Sequence, residues 1–537
     1  MTQILKIDNL VVEGMDEQGW KPIVNGIDLT LNRGEVLGLI GESGAGKSTI
    51  GLAAMGYTRS GCRIVDGSVF FDGRDLLSTP EEFRRKIRGS RIAYVAQSAA
   101  AAFNPAHRLI DQFAEGPIQH GIMKLDEARE KAISLYKVMD LPDSDTIGFR
   151  YPHQVSGGQL QRAMVAMAMA CRPEIIIFDE PTSALDVTTQ IEVLAAIKEV
   201  INQQDTAAIY ITHDLAVVAQ LADRIMVLRY GDLVEQGTAK EILHNPQKEY
   251  TRQLLSVRSQ REDEACDDLK TPVVMKIEGL SAGYIKDVNV VSDIDLKICR
   301  GRTVAIVGES GSGKTSLARA VTGLLPPKKG RILFNGQELP PRLKDRTRDS
   351  LRRLQMIYQM PDVALNPRQR IRKILGRPLE FYFNITGQKK EERTRDLLEM
   401  IELPSNYIER FPSELSGGEK QRLCIARALA AEPDLIICDE VTSALDQIVA
   451  EDILTLLLRL QNELGVSYLY ITHDLATVKA ISHEIVVMLE GWIVEQGVKN
   501  EVLQPPYHAY TELLLSSVPE MDTAWLDNLL LERKAGN

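Results

Sequence analysis

Two short, wholly apolar runs stand at corresponding places in the chain, VLGLI at 36–40 and VAIV at 304–307. Each is followed by a glycine-rich loop and then by a helix-like segment, STIGLAAM in the first case and SLARAVTGL in the second. An unbroken apolar run of this length is typical of a strand that is buried on both faces of a sheet. The pattern therefore predicts two strand–loop–helix units.

Later segments of the first half return in the same order in the second half. IIIF (175–178) and LIIC (435–438) indicate central buried strands, and IMVLRYGDLVEQG and IVVMLEGWIVEQG indicate hairpins with a glycine near the turn. Helical patterns such as DEAREKAISLYKVMDL and KKEERTRDLLEMIEL lie between them. A repeat of this length decides the organisation of the chain. We predict two tandem α/β domains, at 1–258 and 273–537, joined by a charged linker at 259–272.

The composition narrows the function classes. The 537 residues have a formal net charge of −11, which argues against a protein that coats nucleic acid. The first residues, MTQILKIDNL, lack the pattern of a secretory signal, and no apolar run reaches the length of a membrane span. The six cysteines form no C-x-x-C pair, which favours free thiols. We expect any membrane-spanning segments to come from another chain.

The two glycine-rich loops, GESGAGKS and GESGSGKT, fit the pattern G-x-x-x-x-G-K-[ST]. In such a loop the backbone N–H groups surround phosphates, the lysine reaches the β- and γ-phosphates, and the hydroxyl ligates Mg²⁺. Two matches between a predicted strand and a predicted helix exclude a chance glycine turn. The expected nucleotide-binding residues are Gly41, Glu42, Ser43, Gly44, Ala45, Gly46, Lys47, Ser48, Thr49, Gly308, Glu309, Ser310, Gly311, Ser312, Gly313, Lys314, Thr315 and Ser316.

A pair of carboxylates follows each central strand, Asp179-Glu180 in the first half and Asp439-Glu440 in the second. At the end of such a strand, the aspartate can hold Mg²⁺ and the glutamate can activate a water molecule. His213 and His473 each follow a strand-like run within a repeated Thr-His-Asp. We predict that each histidine contacts the γ-phosphate or the attacking water.

The ordered set of motifs resembles the nucleotide-binding domain of ATP-binding cassette proteins. It consists of the P-loop, a later Gln, SGG-x-x-QR, D-E-x-T-S-A-L-D and T-H-D, and it covers nearly the whole chain twice. The resemblance implies a RecA-like α/β core with a β subdomain and an inserted helical subdomain, binding ATP and Mg²⁺. It also implies that two such domains pair head to tail, so that the SGG stretch of each closes over the nucleotide of the other.

Two composite sites follow from this resemblance. The metal ligands would be Ser48, Gln97 and Asp179 in one site, and Thr315, Gln359 and Asp439 in the other. The catalytic residues would be Glu180, His213, Gln97, Glu440, His473 and Gln359. The SGG stretches would add Ser156, Gly157, Gly158 and Gln159 to the second site, and Ser416, Gly417, Gly418 and Glu419 to the first.

The resemblance is incomplete at a few places, one of them Val155, which stands where the second half has Leu415. Val441 stands where the first half has Pro181, but no catalytic group is lost. The aromatic residue that stacks on adenine in this family matches Tyr284 in the second half. The aligned position in the first half is Gly14, with Trp20 nearby, so the base contact of the first half is open.

Within the family, the chain resembles the ATPases of bacterial oligopeptide, dipeptide and nickel importers. Each half has a spaced Asn-Pro after its Gln, QSAAAAFNPAHRLI and QMPDVALNPRQRI, and a similar tail, HNPQKEYTRQLL and QPPYHAYTELLL. This implies a peripheral protein on the cytoplasmic face of the bacterial inner membrane. The expected partners are two transmembrane permease subunits and, indirectly, an extracytoplasmic solute-binding protein, with one copy of this chain per transporter and no nucleic acid. The tails lack clustered cysteines, so we expect no iron–sulfur cluster.

Two alternatives are weighed against this function. A soluble twin-cassette ATPase acting on ribosomes usually carries a long helical linker, and the segment at 258–272 is short for that role. A tandem sugar-importer ATPase often has a degenerate second half, whereas both motif sets are intact here. The transported solute is not specified by the sequence.

Overall fold

The computed structural model describes residues 2–16, 19–182, 185–256, 272–443 and 445–536. Its residues group into two compact units, Met1–Ser256 with Pro519–Asn537, and Val257–Val518. Nearly all of the predicted linker at 259–272 lies outside the described residues. The predicted domains, 1–258 and 273–537, stay a prediction; the C-terminal segment that the sequence assigns to the second domain groups with the first unit.

The first unit contains two sheets built from the following strands: β1 (Gln3–Asp16), β2 (Gly19–Asn32), β3 (Val36–Ile40), β4 (Cys62–Phe71), β5 (Arg74–Asp75), β6 (Ile92–Val95), β7 (Ile175–Asp179), β8 (Ala207–Ile211), β9 (Arg224–Arg229) and β10 (Asp232–Thr238). An antiparallel four-stranded sheet has the order β2-β1-β4-β5. A six-stranded sheet has the order β10-β9-β3-β8-β7-β6, parallel except for the edge strand β10.

The helices of the first unit follow the order α1 (Lys47–Ala53), α2 (Glu81–Ile87), α3 (Ala99–Ala102), α4 (Leu109–Gln119), α5 (Leu125–Val138), α6 (Gly157–Ala168), α7 (Val187–Gln204), α8 (Leu215–Ala219), α9 (Ala239–His244) and α10 (Glu249–Ser256). Helices α3 to α6 lie between β6 and β7 and form the inserted helical subdomain. Apolar side chains of the two sheets share one core, in which Leu5, Leu37 and Ile177 are fully buried.

The second unit repeats this arrangement. Its strands are β11 (Val273–Ala282), β12 (Val291–Cys299), β13 (Thr303–Val307), β14 (Lys329–Phe334), β15 (Gln337–Glu338), β16 (Leu354–Ile357), β17 (Leu435–Asp439), β18 (Ser467–Ile471), β19 (Glu484–Leu489) and β20 (Trp492–Val498). They form a four-stranded sheet, β12-β11-β14-β15, and a six-stranded sheet, β16-β17-β18-β13-β19-β20.

The helices of the second unit are α11 (Lys314–Thr322), α12 (Arg348–Arg353), α13 (Pro361–Ala364), α14 (Ile371–Phe383), α15 (Gly387–Met400), α16 (Gly417–Leu429), α17 (Gln447–Leu464), α18 (Leu475–Ile481), α19 (Lys499–Val502) and α20 (Ala509–Ser516). The last helix of the chain, α21 (Trp525–Gly536), belongs to the first unit. Short 3₁₀ helices occupy Ile147–Phe149, Pro152–Gln154, Leu343–Asp345, Ser405–Glu409 and Pro412–Glu414.

The predicted fold class is confirmed in both units. The four apolar runs that precede the motifs, β3, β7, β13 and β17, are buried along their whole length, because both faces of the parallel sheet are covered, one of them in part by the antiparallel sheet. The predicted hairpins are β9–β10 and β19–β20. Within the described residues, every helix is too short or too polar to cross a bilayer.

Candidate active sites

Each P-loop connects a central strand to a helix and bends through left-handed backbone conformations. Gly41, Gly44 and Gly46 have φ angles of 149°, 83° and 90°. A Cβ atom on Gly41 would lie 2.1 Å from the carbonyl oxygen of Leu228, so a side chain is excluded there. The loop of the second unit has the same shape, and its glycines therefore leave the backbone N–H groups open toward a phosphate.

The P-loop lysines are buried and are held by the loop itself. Lys47 Nζ donates hydrogen bonds to the carbonyl oxygens of Gly41 and Glu42, at 2.7 and 2.8 Å. Lys314 Nζ makes the same contacts to Gly308 and Glu309, both at 2.8 Å. The two ammonium groups thus sit at the centre of their loops, where the sequence predicts phosphate.

The hydroxyl after each lysine meets the aspartate at the end of a parallel strand of the same sheet, β7 or β17. Ser48 Oγ donates to Asp179 Oδ1 at 2.8 Å, and Thr315 Oγ1 donates to Asp439 Oδ1 at 3.1 Å. A hydroxyl and a carboxylate are hard oxygen donors that suit Mg²⁺, which commonly takes its remaining ligands from phosphate and water. Among the described residues, no group of three or more His, Cys, Asp and Glu side chains could hold a metal ion alone. The donor set therefore fits Mg²⁺ bound together with a nucleotide.

The glutamate after this aspartate is joined to the predicted histidine and glutamine. In the first unit, Glu180 Oε1 lies 3.2 Å from His213 Nδ1, and Gln97 Nε2 donates to Glu180 Oε2 at 3.0 Å. In the second unit, Gln359 Nε2 donates to Glu440 Oε2 at 2.6 Å, and His473 Nδ1 lies 3.5 Å from Glu440 Oε1. Both glutamines contact the glutamate, and their predicted role as metal ligands stays a prediction.

The glutamate–histidine contact favours the charged forms of both partners. Burial would raise the pKa of Glu180, but the hydrogen bond with His213 and the charge of Lys47 lower it below its ordinary value. Burial would lower the pKa of His213, but the contact with Glu180 raises it. The hydrogen bond with His473 likewise lowers the pKa of Glu440, against the effect of burial. Both glutamates are therefore ionised at neutral pH, as a base must be.

Both glutamates also have an unusual backbone conformation. Glu180 has a φ angle of 47° and Glu440 one of 49°, in the left-handed region that residues with side chains rarely adopt. The backbone N–H of each still donates to the adjacent strand, to Ile211 and Ile471, both at 2.9 Å. Such strain persists where surrounding contacts over-determine the conformation, and it is common at functional sites. Here it directs the carboxylate to the histidine that follows β8 or β18.

The SGG stretches lie at the start of α6 and α16. Ser156 Oγ accepts a hydrogen bond from the N–H of Gln159 at 3.3 Å, and Ser416 Oγ does the same for Glu419 at 3.3 Å. Each serine is thus an N-cap, as its position before the helix predicts. Both serines are exposed, and a Cβ atom on Gly157 would have no neighbour within 4 Å. The role of these stretches in nucleotide binding stays a prediction.

The predicted adenine contacts differ between the units. Tyr284 is 56% exposed, and its hydroxyl lies 3.4 Å from Ser316 Oγ and accepts from Arg319 at 3.1 Å. Gly14 lies within β1 and offers no aromatic surface. Trp20 is the second residue of the neighbouring strand β2, and the Arg63 guanidinium lies over its ring, 4.1 Å from the centroid. The adenine contact of the first unit therefore stays open.

Sequence reasoning missed four residues that contact the site, three tyrosines and one arginine. The Tyr94 hydroxyl donates to the Asp179 carboxylate, and an Arg59 guanidinium nitrogen lies 3.8 Å from the same carboxylate. Tyr250 and Tyr510 contact the backbone of the two P-loops. The tail tyrosines share a repeated Tyr-Thr pair, which is a signal the sequence does carry; Tyr94 has Met356 as its counterpart before the second Gln and gives no such signal.

Comparison with known proteins identifies the family. Residues 24–183 and 291–443 match the family described as ABC transporter. The chain belongs to the ABC transporter family. Residues 234–270 and 494–537 match a second family, described as oligopeptide/dipeptide transporter, C-terminal region. The predicted family and subfamily are confirmed, and this ABC protein is an ATPase of the oligopeptide/dipeptide transporter type that binds and hydrolyses ATP.

Among similar proteins is the glutathione import ATP-binding protein GsiA of Escherichia coli strain K12. It is 36% identical over 557 residues, which cover 96% of this chain and 89% of the relative. The protein of the same name in Shigella flexneri gives the same values. Among solved structures, cbiO1 from Clostridium perfringens is 28% identical, with a TM-score of 0.39, over 43% of this chain and 90% of its own. The cassette MJ0796, solved as a dimer, is 26% identical, with a TM-score of 0.40, over 44% and 98%.

Proposed function

We propose that this ABC ATPase drives a bacterial importer for peptides or similar small polar solutes. The observation that carries the proposal is the match of both cassette tails to the C-terminal region of oligopeptide/dipeptide transporters. The glutathione import relatives, matched over nearly their whole length, add support, since glutathione is itself a tripeptide. The ribosomal and sugar-import alternatives are not favoured by these matches.

In each unit the proposed chemistry centres on the strained glutamate. Ionised Glu180 accepts a proton from the attacking water, while Gln97 and His213 hold its two carboxylate oxygens. Glu440 has the same role in the second unit. Ser48 with Asp179, and Thr315 with Asp439, would hold Mg²⁺, which would neutralise charge on the phosphates. Both motif sets are complete, so we infer that both units hydrolyse ATP.

The SGG stretches supply the second half of each site in this proposal. Supporting it are the exposed N-capped helix starts and the free space above Gly157. Photolabelling with 8-azido-ATP and peptide mapping tests it in a Ser416→Arg variant. We expect photolabelling to be lost at the Lys47 site of the other unit, because the arginine side chain would occupy the space that the phosphate needs. Ser413→Arg, an exposed serine in the preceding 3₁₀ helix, is the matched control; a loss confined to the Lys314 site contradicts head-to-tail pairing.

As part of an ABC transporter, the chain works with membrane permeases. We place it at the cytoplasmic face of the inner membrane, with two permeases, one copy of this chain and an extracytoplasmic solute-binding protein. In the second unit, a cavity of about 810 Å³ opens beside Thr315, Gln359 and Asp439 and continues to Met360 and Val363. Val363 is 82% exposed, and this apolar rim after the glutamine is a suitable seat for a permease helix.

Co-purification from native membranes in mild detergent, followed by mass spectrometry, tests this assignment. Two multi-span permeases are expected with the wild-type chain and are expected to be lost with Val363→Asp. The control is Val288→Asp, which alters another exposed valine, 53% exposed, in the same unit. Ribosomal proteins without permeases would favour the soluble twin-cassette ATPase acting on ribosomes instead. Uptake of labelled glutathione and of labelled dipeptides by cells with and without the chain would identify the solute class.

A further inference from the structure

A tail tyrosine of the first unit touches its P-loop. Tyr250 lies on α10, is 5% exposed, and accepts a hydrogen bond at its hydroxyl from the backbone N–H of Glu42, at 3.3 Å. Glu42 is the second residue of the loop, and its carbonyl oxygen accepts from Lys47 Nζ. The Glu42 main chain is therefore held at its N–H by the tail and at its carbonyl by the phosphate-binding lysine.

The second unit contains the same contact. Tyr510, on α20 and 8% exposed, accepts from the N–H of Glu309 at 2.9 Å, and Lys314 Nζ donates to the carbonyl oxygen of Glu309. The surroundings differ between the units. The Arg229 guanidinium covers the Tyr250 ring at 4.5 Å, whereas Tyr510 packs in an aliphatic cluster. The hydroxyl-to-loop bond is therefore the feature that both units share.

The P-loop needs such a fixed point because its glycines have no side chains to pack. Its N–H groups bind phosphate well only when the loop is already in its binding conformation, since ordering it on binding costs free energy. The tyrosine hydroxyl fixes the start of the loop without blocking the N–H groups further along. Both tyrosines lie in the segments 234–270 and 494–537, which match the C-terminal region.

We propose that Tyr250 and Tyr510 are positioning residues through which each C-terminal region sets the nucleotide affinity of its own P-loop. This inference rests on the proposed nucleotide sites. The tail region thereby acts on the nucleotide through one hydroxyl and one peptide group, in addition to closing the core of its unit. A disturbance of α10 or α20 is transmitted to Lys47 or Lys314 by this route.

The test uses Tyr250→Phe and Tyr510→Phe, which keep the ring and remove only the hydroxyl. Binding of mant-ATP with Mg²⁺ to the full chain is measured in a Lys314→Ala background for the first substitution and a Lys47→Ala background for the second. We expect affinity to fall about threefold to tenfold, as for the loss of one net hydrogen bond. When either tyrosine substitution is made in the otherwise wild-type chain, we expect the kcat for ATP hydrolysis to be unchanged and the KM for ATP to rise.

The matched control is Tyr507→Phe, which removes a hydroxyl of the same tail that donates to the carbonyl oxygen of Leu503 at 3.2 Å. Its mant-ATP affinity is expected to equal that of its background. If Tyr250→Phe and Tyr510→Phe bind mant-ATP as tightly as this control, the inference is wrong. It is also wrong if either substitution, placed in the reciprocal lysine background, weakens mant-ATP binding at the site of the other unit by the same factor. If Lys47→Ala with Lys314→Ala leaves mant-ATP binding at the wild-type level, the nucleotide sites themselves are misplaced, and the inference fails with them.

Discussion

The side-chain oxygen of Gln220 accepts a hydrogen bond from the backbone N–H of Leu526 at 3.1 Å, across 306 positions of the sequence. Gln220 Nε2 also donates to the carbonyl oxygens of Glu520 and Asp522, at 2.7 and 3.1 Å. Gln220 is 2% exposed and Leu526 is fully buried. One buried amide just after α8 therefore anchors the C-terminal segment on the first unit.

Gln220→Ala is expected to release this segment. The substitution removes three hydrogen bonds to this segment and one to Ala216, and it leaves the buried N–H of Leu526 without its partner, at a cost of about 1–3 kcal/mol for that group. Limited proteolysis with mass spectrometry should show faster cleavage between 519 and 531, and hydrogen exchange there should accelerate. The control is Lys198→Ala, which removes only the surface ion pair with Asp527. It should change the cleavage and hydrogen-exchange rates of this segment little. Equal cleavage in wild type and Gln220→Ala would contradict this anchoring.

Glu180→Gln and Glu440→Gln are each expected to reduce ATP turnover strongly. An amide cannot take a proton from water, and loss of a general base typically costs about 10²- to 10⁴-fold at that site. ATP hydrolysis by the assembled transporter, with each variant tested singly, measures the effect. Glu82→Gln, an exposed glutamate on α2, serves as the control. Should one variant keep near-wild-type hydrolysis and transport, the proposal that both units hydrolyse ATP is incorrect.

The His213–Glu180 pair makes stability depend on pH in a defined window. The pKa of His213 is raised above its ordinary value of 6.5, so its contribution is complete below about pH 6.5 and is lost as pH rises through the folded pKa. The pKa of Glu180 is lowered below 4.5, so its contribution is present above about pH 4.5 and is lost as pH falls through the folded pKa. The charged pair therefore stabilises the first unit most between about pH 4.5 and pH 6.5.

Calorimetry of wild type and His213→Gln tests this dependence. The loss of stability caused by the substitution should be larger near pH 5.5 than near pH 8.5. His107→Gln, at an exposed histidine, controls for general effects of losing an imidazole. A loss that is equal at the two pH values, or larger at the alkaline one, would show that the contact does not favour the charged pair.

Tyr94 is expected to make the two metal sites unequal. Its hydroxyl engages the Asp179 carboxylate, whereas Asp439 has Thr315 as its side-chain hydroxyl donor and Met356 occupies the corresponding place. An oxygen that already accepts a hydrogen bond is a weaker partner for a cation. Tyr94→Phe should therefore tighten Mn²⁺ binding at the first site about threefold, in the presence of nucleotide.

Electron paramagnetic resonance of Mn²⁺ measures this affinity directly, in a Lys314→Ala background that isolates the first site. Met356→Tyr is the reciprocal variant, and in a Lys47→Ala background it should weaken Mn²⁺ binding at the second site. Unchanged or weaker binding in Tyr94→Phe would show that the phenol supports the carboxylate in its binding orientation.

The sequence by itself determined the tandem α/β fold, the P-loops and the order of the motifs. These are encoded in contiguous residues: glycines at positions that need left-handed backbone, apolar runs buried by a parallel sheet, and an N-capping serine before each SGG helix. Even the meeting of Ser48 with Asp179 could be expected, because the carboxyl ends of the parallel strands in one sheet lie at the same edge.

Only the tertiary structure decided which distant groups complete each site. The hydroxyls of Tyr250 and Tyr510 reach the P-loops, and Gln220 binds the chain's own C-terminal segment, through contacts that no local periodicity encodes. A tyrosine at a helical position predicts burial of its ring, but the partner of its hydroxyl depends on how segments far apart in sequence pack. The same holds for Tyr94. The second half has Met356 at the corresponding position, so the repeat could not predict a role for this tyrosine.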